Sequence, residues 1–228
     1  MVTNNQSILS ISDLSICVEN KIIIANIFLE FNLGKTYALL GPNGSGKSSL
    51  AHTIIGDPKY TITQGTITYK DTDLNLLSIS QRAQAGIFLA FQHPQSVPGV
   101  RVHTFLYAAY NAIRKDNYSL ELFNKKIHSI LDYVGLDNKF INRNLNDNFS
   151  GGEKKKLELA QAILLQPKLI IFDELDAGLD QETLKIYINT ISHIRTAEKD
   201  STLIIISHNS DLISQIAPDI IYTIEPKI

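Results

Sequence analysis

The chain has 228 residues, a formal net charge of -2 at pH 7 and one cysteine, Cys17. This length is sufficient for one elaborated domain with a large core, and a lone cysteine excludes an intrachain disulfide framework. Because the net charge is close to zero, we expect no attraction to nucleic acid or to anionic membranes.

No stretch of the sequence predicts membrane insertion. The N-terminal residues do not show a basic segment followed by an apolar one, and no apolar run approaches the roughly 18 residues that a spanning helix needs. Together with the single cysteine, this pattern favours a cytoplasmic protein that is soluble by itself, even where it docks on a membrane protein.

The first part of the chain is predicted to be mainly β-structure. Residues 8–31 alternate between apolar and polar side chains in two runs separated by Glu19 and Asn20, as antiparallel strands do. A glycine loop, GPNGSGKS, is followed by a helical pattern that starts at Lys47. Three more strands are predicted at TYALL (36–40), GTITYKDTDL (65–74) and GIFLAFQ (86–92).

The second part of the chain is predicted to be helical and then to alternate. Apolar residues recur at helical spacing from His103 to about Leu145, and a further helix is expected from about Gly151 to Leu165. The alternation that follows is typical of a mostly parallel sheet covered on both faces. It comprises strand KLIIFD (168–173), a helix in LKIYINTISHI (184–194), strand TLIIIS (202–207), a short helix and strand DIIYTI (219–224).

The glycine loop matches the phosphate-binding pattern G-x-x-x-x-G-K-[ST] between a strand and a helix. Gly41, Gly44 and Gly46 allow successive N–H groups to face a phosphate at the helix N-terminus. Lys47 supplies charge to the β- and γ-phosphates, and Ser48 is suited to Mg²⁺. An incidental glycine-rich turn is disfavoured because strand, loop and helix all occur in the required order.

Polar side chains end three apolar strands. Asp173 and Glu174 end LIIFDE, where Asp173 suits the shell of Mg²⁺ and Glu174 suits activation of a water. An acidic pair that caps the next helix is the alternative. Gln92 and His208 end two other strands, and either residue alone would be uninformative. Near bound nucleotide, the Gln92 amide could reach Mg²⁺ and the attacking water, and a neutral His208 could hydrogen-bond the γ-phosphate.

A second glycine loop precedes the helix predicted at about residue 151. Ser150, Gly151, Gly152 and Glu153 match the S-x-x-E capping box, so these glycines are expected at a helix N-terminus with free N–H groups. The arrangement predicts an anion site that has no lysine or metal ligand of its own.

Six motifs together resemble those of the ABC-type ATPases in order and spacing, over nearly the whole chain. They are GPNGSGKS (41–48), Gln92, FSGGE (149–153), IIFDE (170–174), AGLD (177–180) and His208. The resemblance implies an α/β P-loop NTPase fold with a RecA-like core, an antiparallel β subdomain and an inserted α-helical subdomain. Within one ABC ATPase domain, the implied parts are the β subdomain and first part of the core at 1–92, the helical subdomain at 93–157 and the second part of the core at 158–228.

The resemblance also implies hydrolysis of ATP by an ATP-dependent homodimer that encloses two MgATP. Its implied catalytic residues are Glu174, His208, Lys47 and Gln92, and its implied Mg²⁺ ligands are Ser48, Gln92 and Asp173. The nucleotide would contact Gly41, Asn43, Gly44, Ser45, Gly46, Lys47, Ser48 and Ser49, with apolar contact to the base from Val18. The signature residues Ser150, Gly151, Gly152 and Glu153 would face the nucleotide of the second subunit, and Asp180 belongs to the D-loop.

Within the family, three segments resemble SufC, the ATPase of the SUF iron–sulfur cluster assembly system. They are FLAFQHPQSVPGVRVHTFL with its Pro-x-x-(Ile/Val)-Pro-Gly-Val core (94–100), the signature FSGGEKKK (149–156) and DELDAGLDQETLK (173–185). The resemblance implies soluble SufB/SufD-like scaffold subunits that dock near residues 93–110. By contrast, KLELAQ (156–161) is closer to a general transporter subunit.

Three functions therefore stay open: an iron–sulfur assembly ATPase, the nucleotide-binding subunit of a membrane permease, and an ATP-gated clamp with little turnover. Glu174 and His208 argue against the clamp. The lysines at 154–156 are expected to be solvated at the start of a helix. An alternative hypothesis is that one of them pairs with Glu174 while ATP is absent.

Overall fold

The computed structural model describes residues 6–114, 119–174 and 180–226. Within this part of the chain the strands are β1 (Ser7–Val18), β2 (Lys21–Asn32), β3 (Thr36–Leu40), β4 (Thr61–Tyr69), β5 (Thr72–Asp73), β6 (Ile87–Ala90), β7 (Val97–Arg101), β8 (Asn144–Leu145), β9 (Leu169–Asp173), β10 (Thr202–Ile206) and β11 (Ile220–Thr223). The α-helices are α1 (Lys47–Ile55), α2 (Ile79–Gln84), α3 (Val102–Arg114), α4 (Leu120–Tyr133), α5 (Gly151–Leu165), α6 (Gln181–Ala197) and α7 (Ser210–Ile216).

The N-terminal strands form an antiparallel sheet in the order β2-β1-β4-β5. β1 and β2 are joined by a tight turn in which Glu19 and Asn20 both have positive φ angles, of 47° and 65°. Two consecutive positive φ angles are typical of the turn whose twist matches an antiparallel hairpin. The antiparallel pairing predicted from the alternating pattern is therefore confirmed.

The core of the protein is a parallel sheet in the order β11-β3-β10-β9-β6. Successive side chains of β9 enter opposite faces, because Leu169 and Ile171 lie in one hydrophobic cluster while Ile170 and Phe172 lie in the other. Burial on both faces explains why the strand is apolar throughout rather than alternating. The predicted parallel sheet with two covered faces is confirmed.

The two faces are covered by different elements. The cluster that contains Leu169 includes apolar residues of β1, β4 and α1, so the antiparallel sheet and the first helix cover this face. The cluster that contains Ile170 includes residues of α3, α4, α5, α6 and α7. α3 and α4 both pack on α5, which joins the helical region to the parallel sheet.

One small sheet was missed by the sequence prediction, which placed only loop and helix between Gln92 and the second glycine loop. β7 and β8 pair in antiparallel fashion, with Val97 opposite Leu145. β7 contains Pro98 and Gly99, which are depleted in strands, and β8 has only two residues, so neither segment carries a strand pattern. Among the described residues, none of the helices has the length and apolar character needed to cross a membrane.

Candidate nucleotide site

The ends of four adjacent strands bring the predicted site residues together. β3, β10, β9 and β6 are consecutive and parallel, so their carboxyl ends meet at one edge of the sheet. The glycine loop follows β3, His208 follows β10, Asp173 ends β9 with Glu174 directly after it, and Gln92 follows β6. The register fixes this arrangement further, because Ile206 of β10 is opposite Asp173 of β9.

The glycine loop joins β3 to the N-terminus of α1, as predicted. Gly41, Gly44 and Gly46 have positive φ angles of 147°, 79° and 98°, which only glycine adopts at little cost. A Cβ atom on Gly46 would lie 2.5 Å from Ile24 Cγ1, and one on Gly41 would lie 2.2 Å from the carbonyl oxygen of Ile224. The loop therefore needs glycine at these two positions for space as well as for conformation.

The Lys47 ammonium lies inside the loop that it follows. Its Nζ donates to the carbonyl oxygens of Gly41 at 2.8 Å and Pro42 at 2.9 Å, and it lies 3.4 Å from Ser45 Oγ. Burial lowers the pKa of Lys47, while the nearby carboxylates of Glu174 and Asp173 oppose this shift. A buried cation whose contacts are neutral oxygens is well suited to bind a phosphate that reaches the loop.

Asp173 and Ser48 form a second polar contact at the base of the loop. Ser48 Oγ donates to Asp173 Oδ1 at 2.9 Å, and Asp173 is buried. Burial raises the pKa of Asp173, and the Ser48 hydrogen bond opposes this. Hydroxyl, carboxylate and amide oxygens are the ligands that Mg²⁺ prefers, so Ser48, Asp173 and the Gln92 Oε1 fit this ion chemically.

The Glu174 carboxylate contacts polar side chains that follow the two strands next to β9. Gln92 Nε2 donates to Glu174 Oε2, and His208 Nε2 lies 3.8 Å from Glu174 Oε1. The Glu174 backbone has a φ angle of 47°, and its N–H donates to the carbonyl oxygen of Ile206 at 3.0 Å. The Glu174 carboxylate is thus held between two polar side chains that come from different strands.

A cleft of about 630 Å³ lies over these residues. Val18, expected to contact the base, is not among the residues that line this cleft, and its contact with the base stays a prediction. Lys21 and Ile23 of β2 line the cleft, next to Ile24, which lies against Gly46. Sequence reasoning missed these two residues. The predicted residues that do line it are Asn43, Gly44, Gly46, Lys47, Ser48, Ser49, Gln92, Glu174 and His208.

The second glycine loop forms the N-terminus of α5, as its capping pattern predicts. Ser150 Oγ accepts from the Glu153 N–H at 3.3 Å, and Glu153 Oε2 accepts from the Ser150 N–H at 2.7 Å. Ser150 and Gly151 are exposed, and no signature residue lines the cleft. Asp180 caps α6 by accepting from the Thr183 N–H at 2.7 Å. The rest of the predicted D-loop, 177–179, lies outside the described residues.

Lys155 is buried, so the expectation of a solvated lysine is wrong for this residue, and its contacts are not with Glu174. Its Nζ donates to the carbonyl oxygen of Phe91 and lies 3.4 Å from Glu158 Oε2, with both side chains 5% exposed. Glu158 Oε1 accepts from the Phe91 N–H at 2.7 Å. Burial raises the pKa of Glu158 to about 7, and Lys155 opposes the shift.

A groove of about 520 Å³ lies beyond Gln92. His52, Phe91 and Pro94 contribute to its lining, together with Phe105 of α3 and Asn146. The groove therefore touches the segment that carries Gln92 and part of the region expected to dock a partner.

Comparison with known proteins agrees with this geometry. A model of the ABC transporter family matches residues 24–177. The relative named probable ATP-dependent transporter slr0075, from Synechocystis sp., is 42% identical over 222 residues, which cover 96% of this chain and 86% of the relative. Vegetative protein 296 of Bacillus subtilis is 39% identical over 218 residues, which cover 95% of this chain and 83% of the relative.

The fold is also similar to that of a solved ATP-binding cassette. The dimeric structure of MJ0796 bound to ADP and Pi superimposes with a TM-score of 0.81 at 19% identity, covering 96% of this chain and 97% of the cassette. With the family model matching well over half of the residues, and the strand ends forming a nucleotide cleft, the chain belongs to the ABC transporter family and is an ATPase of that family.

Proposed function

We propose that this chain is the ATP-hydrolysing subunit of a SUF-type iron–sulfur cluster assembly complex. In this proposal it dimerises around two MgATP and drives a conformational change in soluble scaffold subunits. The observation that carries the proposal is the contact between Gln92 and Glu174. It joins the catalytic carboxylate to the segment that lines the groove beyond the cleft.

At the site, Glu174 accepts a proton from the water that attacks the γ-phosphate of ATP, and ADP and phosphate are the products. Lys47 leaves the loop carbonyls to neutralise phosphate charge, and His208 donates a hydrogen bond to the γ-phosphate. Gln92 orients Glu174 and the water. Ser48, Gln92 and Asp173 would hold Mg²⁺, which neutralises charge on the β- and γ-phosphates when bound.

The second subunit completes the site. Ser150 and Gly151, at the start of α5, are exposed and lie outside the cleft of their own chain. The Ser150 and Glu153 N–H groups are bonded within the cap, but a helix N-terminus as a whole favours anions, so this end of α5 is suited to the γ-phosphate bound by a partner copy. Closing and reopening of the dimer then moves whatever is docked beyond Gln92.

The SUF assignment is supported by the segment that follows Gln92. The Pro-Gly-Val part of its core lies on β7, where Val97, Pro98 and Gly99 are exposed. Val97 is opposite Leu145, which lines the groove. This is the segment whose sequence resembles SufC, and residues 93–110 are the proposed docking region for SufB/SufD-like scaffold subunits.

A membrane permease is the alternative partner. The Synechocystis relative is named a probable ATP-dependent transporter, and this name favours the alternative. Both functions use the same ATPase site, so only the identity of the docked protein separates them.

The test is affinity purification of the tagged chain from its native cell, with mass spectrometry of the soluble and detergent fractions. We expect soluble scaffold subunits with the wild type and with Ile221→Asp, and their loss with Val97→Asp. Val97 and Ile221 are both exposed. Ile221 is the control because it lies on β11, at the opposite edge of the parallel sheet from β6, the strand that leads to Gln92 and the docking region. Capture of a polytopic permease instead would overturn the SUF assignment and leave the ATPase in place.

A further inference from the structure

The two buried charges on α5 hold the backbone of a single residue, Phe91. Glu158 accepts from the N–H of Phe91, and Lys155 donates to its carbonyl oxygen. The first bond fixes the peptide between Ala90 and Phe91, and the second fixes the peptide between Phe91 and Gln92. Both planes on either side of Phe91 are therefore set by one turn of α5.

Packing of the hydrophobic core does not explain why Lys155 and Glu158 contact the Phe91 backbone. Phe91 itself is 38% exposed, so its side chain contributes little to the core. Lys155 and Glu158 are nearly completely buried, although a buried ion pair is weak support for stability compared with apolar residues of the same volume. The pair contributes little stability and bonds both backbone groups of Phe91, so we look for its role in the residue that it positions.

What it positions is Gln92. The Phe91 carbonyl belongs to the same peptide as the Gln92 N–H, and the Gln92 amide donates to Glu174. The far end of this segment is held as well, because Asn146 Nδ2 donates to the carbonyl oxygen of Gln95 at 3.0 Å. The segment from Phe91 to Gln95, which follows β6, is thus bonded at one end to α5 and at the other end to Asn146.

We propose that Glu158, together with Lys155, is a positioning residue that fixes the Phe91 backbone, and through it Gln92, to the helix that carries the signature. Gly151 and Lys155 lie one turn apart on α5, so a displacement of the signature on dimer closure is carried to Gln92 and to Glu174. The inference rests on the proposed roles of Gln92 and Glu174 in hydrolysis.

The test compares two double variants that both lack the buried charges, Lys155→Met/Glu158→Gln and Lys155→Met/Glu158→Leu. Gln keeps an oxygen that can accept from the Phe91 N–H, whereas Leu does not. We expect kcat of the Leu variant to fall about tenfold or more, with KM for ATP and the melting temperature nearly unchanged, since misplacement of one group slows chemistry. The Gln variant keeps the bond to the Phe91 N–H but loses the Lys155 bond to the Phe91 carbonyl oxygen, so its kcat should fall much less, by about threefold.

Ser201→Ala is the matched control. Ser201 is buried and donates to the carbonyl oxygen of Pro167 at 2.8 Å, so the control removes a buried hydrogen bond at a place unconnected with Gln92. Its kcat should equal that of wild type. A loss of kcat that merely follows destabilisation would occur in this control too.

Hydrogen exchange of the Phe91 amide, measured by NMR without ATP, tests the contact itself. Protection in wild type and in the Gln variant, with faster exchange in the Leu variant, is expected. Wild-type turnover in the Leu variant, equal losses in both double variants, or an unprotected Phe91 amide in wild type would each overturn the proposal. The last measurement stands even if a variant does not fold, and it is independent of whether Glu174 is the catalytic base.

Discussion

Glu174 differs from its neighbour Asp173 in ways that decide which carboxylate can act as a base. Asp173 is buried and accepts from Ser48, whereas the Glu174 side chain lines the cleft with 24% of its surface exposed. A base must reach the attacking water, and only Glu174 faces the space in which a nucleotide fits. Its contacts with Gln92 and His208 orient it toward this space.

Replacing Glu174 by Gln should therefore abolish turnover but not binding. We expect kcat to fall by about a hundredfold or more, because a general base typically contributes this much, while the Kd for ATP stays within about threefold. Steady-state phosphate release and nucleotide titration measure the two quantities. Glu182→Gln, on the exposed first turn of α6, is the matched control. Turnover that persists in Glu174→Gln would assign the base elsewhere, and no turnover in wild type with partners would favour the clamp.

Glu158 makes the stability of the protein depend on pH. Its pKa is raised from 4.5 to about 7, chiefly by burial, so the folded state binds the proton more tightly than the unfolded state does. The resulting stability is complete below pH 4.5 and is lost as pH rises through about 7, a change of about 3 kcal/mol. Urea unfolding of wild type and Glu158→Gln from pH 4.5 to 8 should show wild type losing this amount relative to the variant. Parallel curves would contradict the prediction.

At the scale of elements, α5 and α4 both begin with a serine N-cap, but only the cap of α5 is proposed to face a bound phosphate. Ser150 Oγ accepts from the Glu153 N–H, and Ser119 Oγ accepts from the Leu122 N–H, both at 3.3 Å. Changing either serine to Ala should lower the free energy of unfolding by about 1 kcal/mol. Only Ser150→Ala should also lower kcat, by about a hundredfold, because this cap is proposed to face a phosphate. Equal kcat in the two variants would remove Ser150 from the site.

The end of α1 is held by one buried arginine. Arg82 Nη1 donates to the carbonyl oxygens of Thr53 and Ile54, in the last turn of the helix, at 2.8 and 3.0 Å. Its other nitrogens donate to Leu74 and Leu77. A cation at this end interacts favourably with the helix dipole, and its removal takes one donor from each of four carbonyl oxygens. Those of Thr53 and Leu74 keep a backbone donor, Gly56 N–H and Leu77 N–H.

Arg82→Met should therefore lower the free energy of unfolding by about 3 kcal/mol, as measured by urea denaturation. Arg101→Met is the control, since Arg101 is exposed on β7 and should change stability by less than about 0.5 kcal/mol. Similar losses in the two variants would show that the carbonyl contacts of Arg82 are not what stabilises α1.

The elements that the sequence predicted correctly are those with a local signal. The hairpin of β1 and β2 follows from a period of two, and the start of α5 follows from the capping residues at Ser150 and Glu153. The misses depend on residues distant in the chain. Nothing near Val97 indicates its pairing with Leu145. Glu158 lies within one turn of Lys155, but nothing near either residue indicates that both are buried against the backbone of Phe91.

In the candidate site too, some features could be predicted from the sequence and others could not. The polar residues after each parallel strand were predictable, because the sheet topology brings carboxyl ends together. Which strand of the hairpin faces the glycine loop was not predictable, since Val18 and Lys21 are opposite each other and either could line the cleft. The choice is made by the contact of Ile24 with Gly46.

At the scale of the molecule, the cleft and the signature of one chain do not meet. The exposed start of α5 lies outside the cleft, so a second copy is proposed to bring its signature to the bound nucleotide. Two identical copies related by a twofold axis would complete two such sites at once. Association should therefore require ATP and should be reversed by its hydrolysis.

Sedimentation of the Glu174→Gln variant tests this prediction. With MgATP the variant should have twice the 25.4 kDa mass of the chain, because the nucleotide is not hydrolysed, and without nucleotide it should be a monomer. Adding Gly151→Asp provides the matched comparison. A Cβ atom on Gly151 would have no neighbour within 4 Å, and an acidic residue in the first turn favours a helix, so the variant should fold normally. Its carboxylate would repel the partner's γ-phosphate and keep the protein monomeric with MgATP, whereas a dimer with Gly151→Asp would show that the signature does not face the second nucleotide.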